Sequence, residues 1–130
     1  MIDRQDGIHR YLHATAAGKA ILAQLSNCRV EEIIDQHGLP TETDQTITDP
    51  EDLFEELEGI GEKSVAYSDG ESAEGLRAVG VPVFRPNRFV LGAFSMSAPS
   101  NRLQGLRYHE EIPAILLGYA NEVELNLRCA

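Results

Sequence analysis

The sequence predicts an α+β fold, in which helical segments precede and follow a pair of antiparallel strands. Residues 75–99 give the strand signal, because valine occupies every second position from Val79 to Val83 and apolar residues resume after a turn. Apolar residues recur at helical spacing in residues 16–60 and again in residues 106–127. The chain has 130 residues, of which 42% are hydrophobic, so it is long enough to bury the core of one domain.

The second strand of this hairpin ends in two serines that share a face. Ser95 and Ser97 are separated by one residue, and side chains alternate between the two faces of a strand. Both hydroxyls therefore lie on the face opposite Phe94 and Met96. If that face is buried, the two hydroxyls stand on a rigid wall in a dry place, which suits a pocket for a small molecule.

The first helix is predicted to begin after Thr15, which is a suitable N-cap residue. Its first turn holds three small residues, Ala16, Ala17 and Gly18, and two interpretations of them stay open. Either the helix packs closely against a neighbour, or its unshielded backbone N–H groups accept an anion at the positive end of the helix dipole. Lys19 follows directly, and its simplest position is in solvent.

Turn and cap residues delimit the other elements. The remaining elements are a helix over residues 30–36 that Gly38 ends, a helix that Asp49 and Pro50 open, a strand over residues 65–67, and a long helix over residues 106–127 that Pro113 either kinks or begins. The hairpin turn lies at residues 85–88, where Pro86 presets its own φ angle and Asn87 tolerates a left-handed backbone. The acidic residues between positions 51 and 62 form a solvated helix face rather than a metal or partner site.

Charge is the strongest compositional signal, since the formal net charge is −10 at pH 7. Phosphate contacts need clustered basic residues, so the chain by itself is not expected to bind nucleic acid. Lys19 and Lys63 are the only lysines among the 11 basic residues. An acidic, lysine-poor surface favours solubility at high salt, where repulsion between carboxylates is screened, and it predicts a protein from a salt-adapted organism.

The sequence has no pattern typical of a membrane segment or a secretion signal. No apolar run reaches the roughly 20 residues that span a bilayer. The first residues lack the apolar core of a signal peptide, so we expect a cytoplasmic protein. Cys28 and Cys129 are far apart in sequence and are expected to remain unpaired thiols.

Catalytic and metal-binding patterns are also missing. His9 and His13 have helical i,i+4 spacing, but no third ligand is arranged near them, so we expect no metal site and no cofactor. Nucleophile elbows, phosphate loops and dinucleotide fingerprints do not occur. An enzyme is therefore the weaker class, and no catalytic residue is predicted.

Four stretches carry a resemblance to a known family. They are residues 12–20 (LHATAAGKA), residues 38–40 (GLP) with 46–50 (TITDP), residues 74–77 (EGLR), and residues 95–99 (SMSAP) with Arg102. Their order and spacing across residues 12–127 resemble the effector-binding domain of IclR-type transcriptional regulators. The resemblance implies a GAF-like or profilin-like α+β domain, with an antiparallel sheet and helices packed on its faces. It places the domain in residues 13–130, after an incoming extended segment over residues 1–12.

The same resemblance implies a pocket for a small organic effector, often a carboxylate or an aromatic acid. The implied effector-binding residues are Ala16, Ala17, Gly18, Ser68, Asp69, Ala78, Ser95 and Ser97. Helix amides and two hydroxyls are suitable donors for a carboxylate. Ala78 stands where the family often has a cysteine, which leaves a more apolar wall, and an ionised Asp69 would repel an anionic effector if it pointed inward.

Partners follow from the resemblance as expectations. DNA binding would reside in an N-terminal winged helix-turn-helix that this chain lacks. The first strand pair of the effector domain is also missing on this comparison, so the sheet is expected to expose an edge. The family implies a homo-oligomer, a dimer or a tetramer. The alternatives are a free-standing small-ligand-binding domain without a DNA partner and a small hydrolase or isomerase with an unrecognised site.

Overall fold

A computed structural model describes residues 12–129 of the chain. In chain order the elements of this range are α1 (Ala16–Leu22), α2 (Asn27–His37), α3 (Pro50–Lys63), β1 (Ala66–Asp69), β2 (Leu76–Phe84), β3 (Val90–Pro99), a π-helical segment (Arg107–Glu111) and α4 (Ile112–Cys129). The α+β prediction is confirmed. Except for Leu12, the predicted incoming segment lies outside the described residues, as does His9.

Side-chain caps set the starts of the first three helices. Thr15 accepts a hydrogen bond from the Gly18 N–H, and Asp49 accepts one from the Glu51 N–H, both at 3.0 Å. Ser26 caps α2 in the same way, so this helix begins earlier than its apolar pattern indicates. At the other end of α2, Gly38 adopts the predicted positive φ, 69°.

The last helix begins with a widened turn. The Ile112 N–H donates to the carbonyl oxygen of Arg107, five residues earlier, which is the π-helical pattern. Pro113 follows at the second position of α4. A proline lacks the backbone N–H and its ring crowds the carbonyl four residues earlier, so the wider turn accommodates it at the start of the regular helix.

The three strands form an antiparallel sheet in the order β1-β2-β3. Its register aligns Ser68 with Ala78 and Ala78 with Ser97, and the neighbouring row runs from Ala66 through Gly80 to Ser95. Directly paired residues point to the same face. We call the two faces the α1 face (Ala66, Ser68, Ala78, Gly80, Ser95 and Ser97) and the α4 face (Tyr67, Asp69, Arg77, Val79, Val81, Phe94 and Met96).

Helices cover both faces, as the resemblance implies. One hydrophobic cluster joins apolar residues of α1, α2 and α3 to Ala66 on the α1 face. A second cluster packs the β2 valines against Ile112 and Leu116 of α4 and against Tyr108 of the π-helical segment. Among the described residues β2 is the central strand, so both core clusters are anchored on it or its direct neighbour.

The hairpin turn corrects one prediction. The residue with the left-handed backbone is Arg88, at φ 73°, and not Asn87. Arg88 N–H donates to Arg85 O and Arg85 N–H donates to Phe89 O, both at 2.8 Å, which is a type I turn followed by one left-handed residue. Asn87 instead accepts a hydrogen bond from the Phe89 N–H at 3.1 Å through its side chain.

Three surface features bear on the function. Cys28 and Cys129 are exposed and unpaired, as predicted. In residues 12–129 no helix is both long and apolar enough to cross a membrane. Over the same range no three histidine, cysteine or carboxylate side chains are grouped so as to hold a metal ion.

Candidate functional site

The start of α1 is pressed closely onto the sheet. An added Cβ at Gly80 would lie 2.6 Å from the backbone carbonyl carbon and oxygen of Ala16, and one at Gly18 would lie 2.3 Å from the carbonyl oxygen of Leu12. Ala16 is almost fully buried. The Gly18 N–H is already used, because it donates to the Thr15 hydroxyl at 3.0 Å. Of the two interpretations of the small residues, the structure supports close packing.

Four of the predicted effector-binding residues share the α1 face. Ser68, Ala78 and Ser97 lie side by side across the three strands, and Ser95 lies one row further along β3. Gly80, which pairs with Ser95 on the same face, is in close contact with the backbone of Ala16 and Ala17 of α1. The sheet register therefore brings seven of the eight predicted residues to one region between α1 and the sheet, with Gly18 in the same turn of the helix as Ala16 and Ala17.

The two β3 hydroxyls are not in a dry place, because the burial of their face on which that location depended is not observed. Ser95 and Ser97 are both exposed, because β3 is an edge strand of the described sheet. No hydrogen bond within residues 12–129 uses either hydroxyl, so both remain available to a ligand. Ser68 differs from them: it is buried, and its hydroxyl donates to the Ala14 carbonyl at 3.0 Å.

Asp69 is the residue that the structure does not bring to this region. It pairs with Arg77 across the sheet and lies on the α4 face, since it follows Ser68 directly along β1. The Arg77 guanidinium donates to its carboxylate at 3.1 and 3.3 Å. The same guanidinium lies over the Tyr108 ring, 4.9 Å from its centroid. Asp69 therefore holds Arg77 rather than facing Ser95 and Ser97.

Lys19 was expected in solvent, and this prediction is wrong. Its side chain is fully buried, and its ammonium group donates to Glu71 Oε1 at 2.7 Å, to the Tyr67 carbonyl at 2.5 Å and to the Glu56 carboxylate. A lysine is almost never fully buried unless it is paired. Burial raises the pKa of Glu71, and the charge of Lys19 opposes that rise.

The loop after β1 is held in place by several side chains. Thr46 donates its hydroxyl to the Glu71 carbonyl at 2.6 Å, and Thr43 donates to the Gly70 carbonyl. Tyr108 donates to the Ser68 carbonyl at 3.3 Å, and burial, with the nearby charge of Asp69, raises the pKa of this tyrosine to about 12. Together with Lys19, these contacts tie the loop to α1 and to the connection between α2 and α3.

This arrangement favours binding over catalysis. The α1 face offers two unused hydroxyls beside the apolar Ala78 and the bare backbone of Gly80. Within the described residues the buried Ser68 and His13 are both committed to carbonyl oxygens, those of Ala14 and Pro40. Neither is therefore arranged as a nucleophile with its base. A ligand here would meet hydroxyl donors on an apolar wall.

The fold and this region define a small-ligand-binding domain built on an antiparallel sheet. Residues 2–125 match the family described as "Bacterial transcriptional regulator IclR C-terminal". The match covers most of the chain, and the chain therefore belongs to this family, whose members are IclR-type effector-binding domains. The resemblance found in the sequence is confirmed.

Two curated relatives illustrate the family. The probable HTH-type transcriptional regulator ArcR of Halobacterium salinarum is 37% identical over 121 residues, which are 93% of this chain and 46% of the relative. The transcriptional repressor IclR of Escherichia coli is 35% identical over 114 residues, 88% of this chain and 41% of the relative. The chain thus spans less than half the length of these regulators.

A solved structure shows the same fold with a ligand. It is the inducer-binding domain of the PobR transcription factor from Acinetobacter, a double mutant in complex with 3-hydroxybenzoic acid. It matches with a TM-score of 0.82 at 29% identity, and the match covers 87% of this chain and 65% of that one. The shared architecture agrees with the GAF-like domain that the resemblance implied.

Proposed function

We propose that this chain is the effector-sensing part of an IclR-type transcriptional regulator and that its effector is a small carboxylic or aromatic acid. The effector binds on the α1 face, against Ser95 and Ser97, with Ala78 as the apolar wall and the first turn of α1 opposite. The observation that carries the proposal is the pair of unused hydroxyls on one face of β3, in register with Ala78 and Gly80. The PobR domain's complex with a hydroxylated aromatic acid supports this ligand class.

The regulatory output requires a second state of the protein. DNA binding belongs to a helix-turn-helix domain outside this chain, and the regulator acts as a homo-oligomer. An effector changes the DNA-binding activity only if it binds two arrangements of the subunits with different affinities, because equal affinity shifts no population. The α1 face meets this condition if α1 moves relative to β3 when the effector binds.

The proposal predicts that removing both hydroxyls weakens effector binding. We expect the double variant Ser95→Ala, Ser97→Ala to bind 3-hydroxybenzoate and related small aromatic acids at least about tenfold more weakly, because a hydrogen bond to a charged acceptor contributes about 1.5–3 kcal/mol. Isothermal titration calorimetry measures the affinity. Both side chains are exposed, so the circular dichroism spectrum and the melting temperature should stay unchanged.

Met96→Ala is the matched control. Met96 lies between the two serines but on the α4 face, and it is also exposed to solvent. We expect this variant to bind the same acids as the native chain does. Equal affinity of the double serine variant and the native chain would contradict the proposed site, and failure of every acid tested to bind would contradict the ligand class.

We also propose that the chain is adapted to high salt. Its net charge of −10, its two lysines and its likeness to a Halobacterium salinarum regulator support this. We expect the melting temperature to rise between 0.1 and 2 M KCl, since salt screens repulsion between carboxylates. The triple variant Glu51→Gln, Glu55→Gln, Glu58→Gln neutralises exposed carboxylates of α3. Its melting temperature should rise less over the same range of KCl concentration. Full stability of the native chain in dilute buffer would contradict the proposal.

A further inference from the structure

A cavity lies at the other end of the β2–β3 hairpin from the serines. Its volume is about 340 Å³, and it lies between Gln24 after α1, the hairpin turn, and the C-terminal part of α4. Phe84, at this end, lies six positions after Ala78 on β2, a distance of roughly 20 Å along the strand. The cavity is thus separate from the proposed effector site and is within the size range of small-molecule pockets.

Three arginines line this cavity, Arg85, Arg88 and Arg128. None of the three forms an ion pair or a side-chain hydrogen bond with any residue in the range 12–129. The chain as a whole is acidic, with 21 acidic residues and 11 basic ones. Three unpaired arginines around one cavity create a positive site on a strongly negative protein.

The one carboxylate of the cavity is already engaged. Glu124 accepts a hydrogen bond from the Phe84 N–H at 3.0 Å, beside the irregular register at Val83 and Phe84. This contact holds the carboxylate at the wall and satisfies a backbone group that the sheet leaves unpaired. The lining side chains therefore carry three positive charges and one negative charge.

Gln24 adds a neutral donor to the same cavity. Its Nε2 atom is buried, and among the described residues it is the only buried side-chain nitrogen or oxygen without a hydrogen-bond partner. Buried polar groups are nearly always paired, so an unpaired donor that lines a cavity marks a place for an acceptor. The three arginines and the Gln24 amide nitrogen are thus donors without a partner, and a ligand rich in acceptor oxygens matches them.

The backbone conformation of Arg88 also supports a ligand site at this cavity. Its φ of 73° lies in the left-handed region, where glycine is the usual residue after a type I hairpin turn. A side chain with this φ costs free energy. An outlier of this kind is a starting point for a functional hypothesis, and here the residue that bears it places a guanidinium group on the cavity.

We propose that this cavity is a second ligand site, which binds a small organic anion with two or more carboxylate or phosphate groups. The planar guanidinium of an arginine binds either group through two parallel hydrogen bonds. Arg85 and Arg88 approach the ligand from the hairpin turn, Arg128 approaches it from the last turn of α4, and Gln24 donates from the segment after α1. The site joins three parts of the fold through one ligand.

The first test uses citrate and inorganic pyrophosphate as probes. Isothermal titration calorimetry of the 130-residue chain, with KCl added to keep the ionic strength constant, should show saturable binding of at least one probe. Tighter binding of citrate identifies carboxylates as the preferred groups, and tighter binding of pyrophosphate identifies phosphates. The double variant Arg85→Gln, Arg128→Gln should bind the preferred probe at least about tenfold more weakly, which corresponds to about 1.4 kcal/mol.

Two further variants make the test specific. Arg102→Gln, Arg107→Gln removes the same charge from exposed, unpaired arginines elsewhere and should leave probe affinity unchanged. Arg88→Gly should weaken probe binding while the melting temperature is unchanged or higher, because glycine accepts the left-handed backbone. If the role of Arg88 were only structural, probe affinity and melting temperature would fall together in this variant.

A further control shows whether citrate and pyrophosphate bind at this cavity or at the proposed effector site. The double variant Ser95→Ala, Ser97→Ala should bind both probes as the native chain does, whatever it does to aromatic acids. The inference is overturned if neither probe binds above chloride at the same ionic strength. It is also overturned if the Arg85 and Arg128 double variant keeps native affinity, or if the Arg102 and Arg107 variant loses as much.

Discussion

Replacing Lys19 by methionine is expected to lower the free energy of unfolding by about 3–5 kcal/mol. The ammonium group is fully buried between the carboxylates of Glu56 and Glu71 and the carbonyl of Tyr67, and methionine of similar length would leave these acceptors without their shared cation. Domains of this size have a total stability of about 5–15 kcal/mol. Urea denaturation followed by circular dichroism measures the change, since the chain contains no tryptophan.

The loss should depend on pH in a defined direction. Burial raises the pKa of Glu71 above its ordinary value, so the folded state binds this proton up to a higher pH than the unfolded state does. Between the pKa of Glu71 in the unfolded state and its higher pKa in the folded state, the free energy of unfolding falls as the pH rises. Lys19 opposes the rise in pKa, and its removal extends the window upward. The difference in the free energy of unfolding between Lys19→Met and the native chain should therefore shrink as the pH is lowered, because a protonated Glu71 needs no cation.

Lys63→Met is the matched control, because Lys63 is the only other lysine and lies exposed at the end of α3. We expect it to change the stability by less than about 0.5 kcal/mol. Adding Glu71→Gln to Lys19→Met should restore part of the lost stability, since the unpaired charge is then removed. Equal stability of Lys19→Met and Lys63→Met would show that the buried ion pairs contribute nothing.

The second large effect is expected from Gly80→Ala. The new Cβ would lie 2.6 Å from the Ala16 backbone, so α1 has to move away from the centre of the sheet. Inserting atoms into a close-packed interior costs about 3 kcal/mol at the upper end of the usual range, and backbone cannot yield as a flexible side chain does. Urea denaturation should show this loss. Because α1 forms one side of the proposed effector site, binding of aromatic acids should weaken as well.

Gly92→Ala serves as the control for this prediction. Gly92 is also a strand glycine, but an added Cβ there meets nothing within 4 Å. We expect the Gly92 variant to be as stable as the native chain or more stable by about 0.5–1 kcal/mol, because alanine loses less backbone entropy on folding. If both glycine variants have native stability, α1 does not rest on Gly80 as the distances indicate.

The positions of the candidate-site residues could be predicted in part. The shared face of Ser95 and Ser97 follows from strand alternation, and the register confirms it. The same rule separates Ser68 from Asp69, which are consecutive on β1, so sequence reasoning could already have placed Asp69 on the other face. Exposure of the two β3 hydroxyls could not be predicted, because it depends on what lies beside an edge strand.

The charged groups were harder to place. Lys19 was expected in solvent because charged side chains usually are. A weak signal was present, since the chain has only two lysines and this one follows the small residues of a closely packed helix start. The arginines of the hairpin-end cavity gave no signal, because Arg85 and Arg128 are 43 residues apart in the numbering and only the fold brings them together.

By itself, the sequence determined the helix starts at Thr15 and Asp49, the hairpin, and the common face of Ser95 and Ser97. These features depend on residues a few positions apart, whose caps and alternation act locally. Only the tertiary structure decided that Lys19 is buried, because its three partners lie 37, 48 and 52 residues away. Burial and charge pairing are properties of contacts between distant segments, and local patterns do not encode which segments meet.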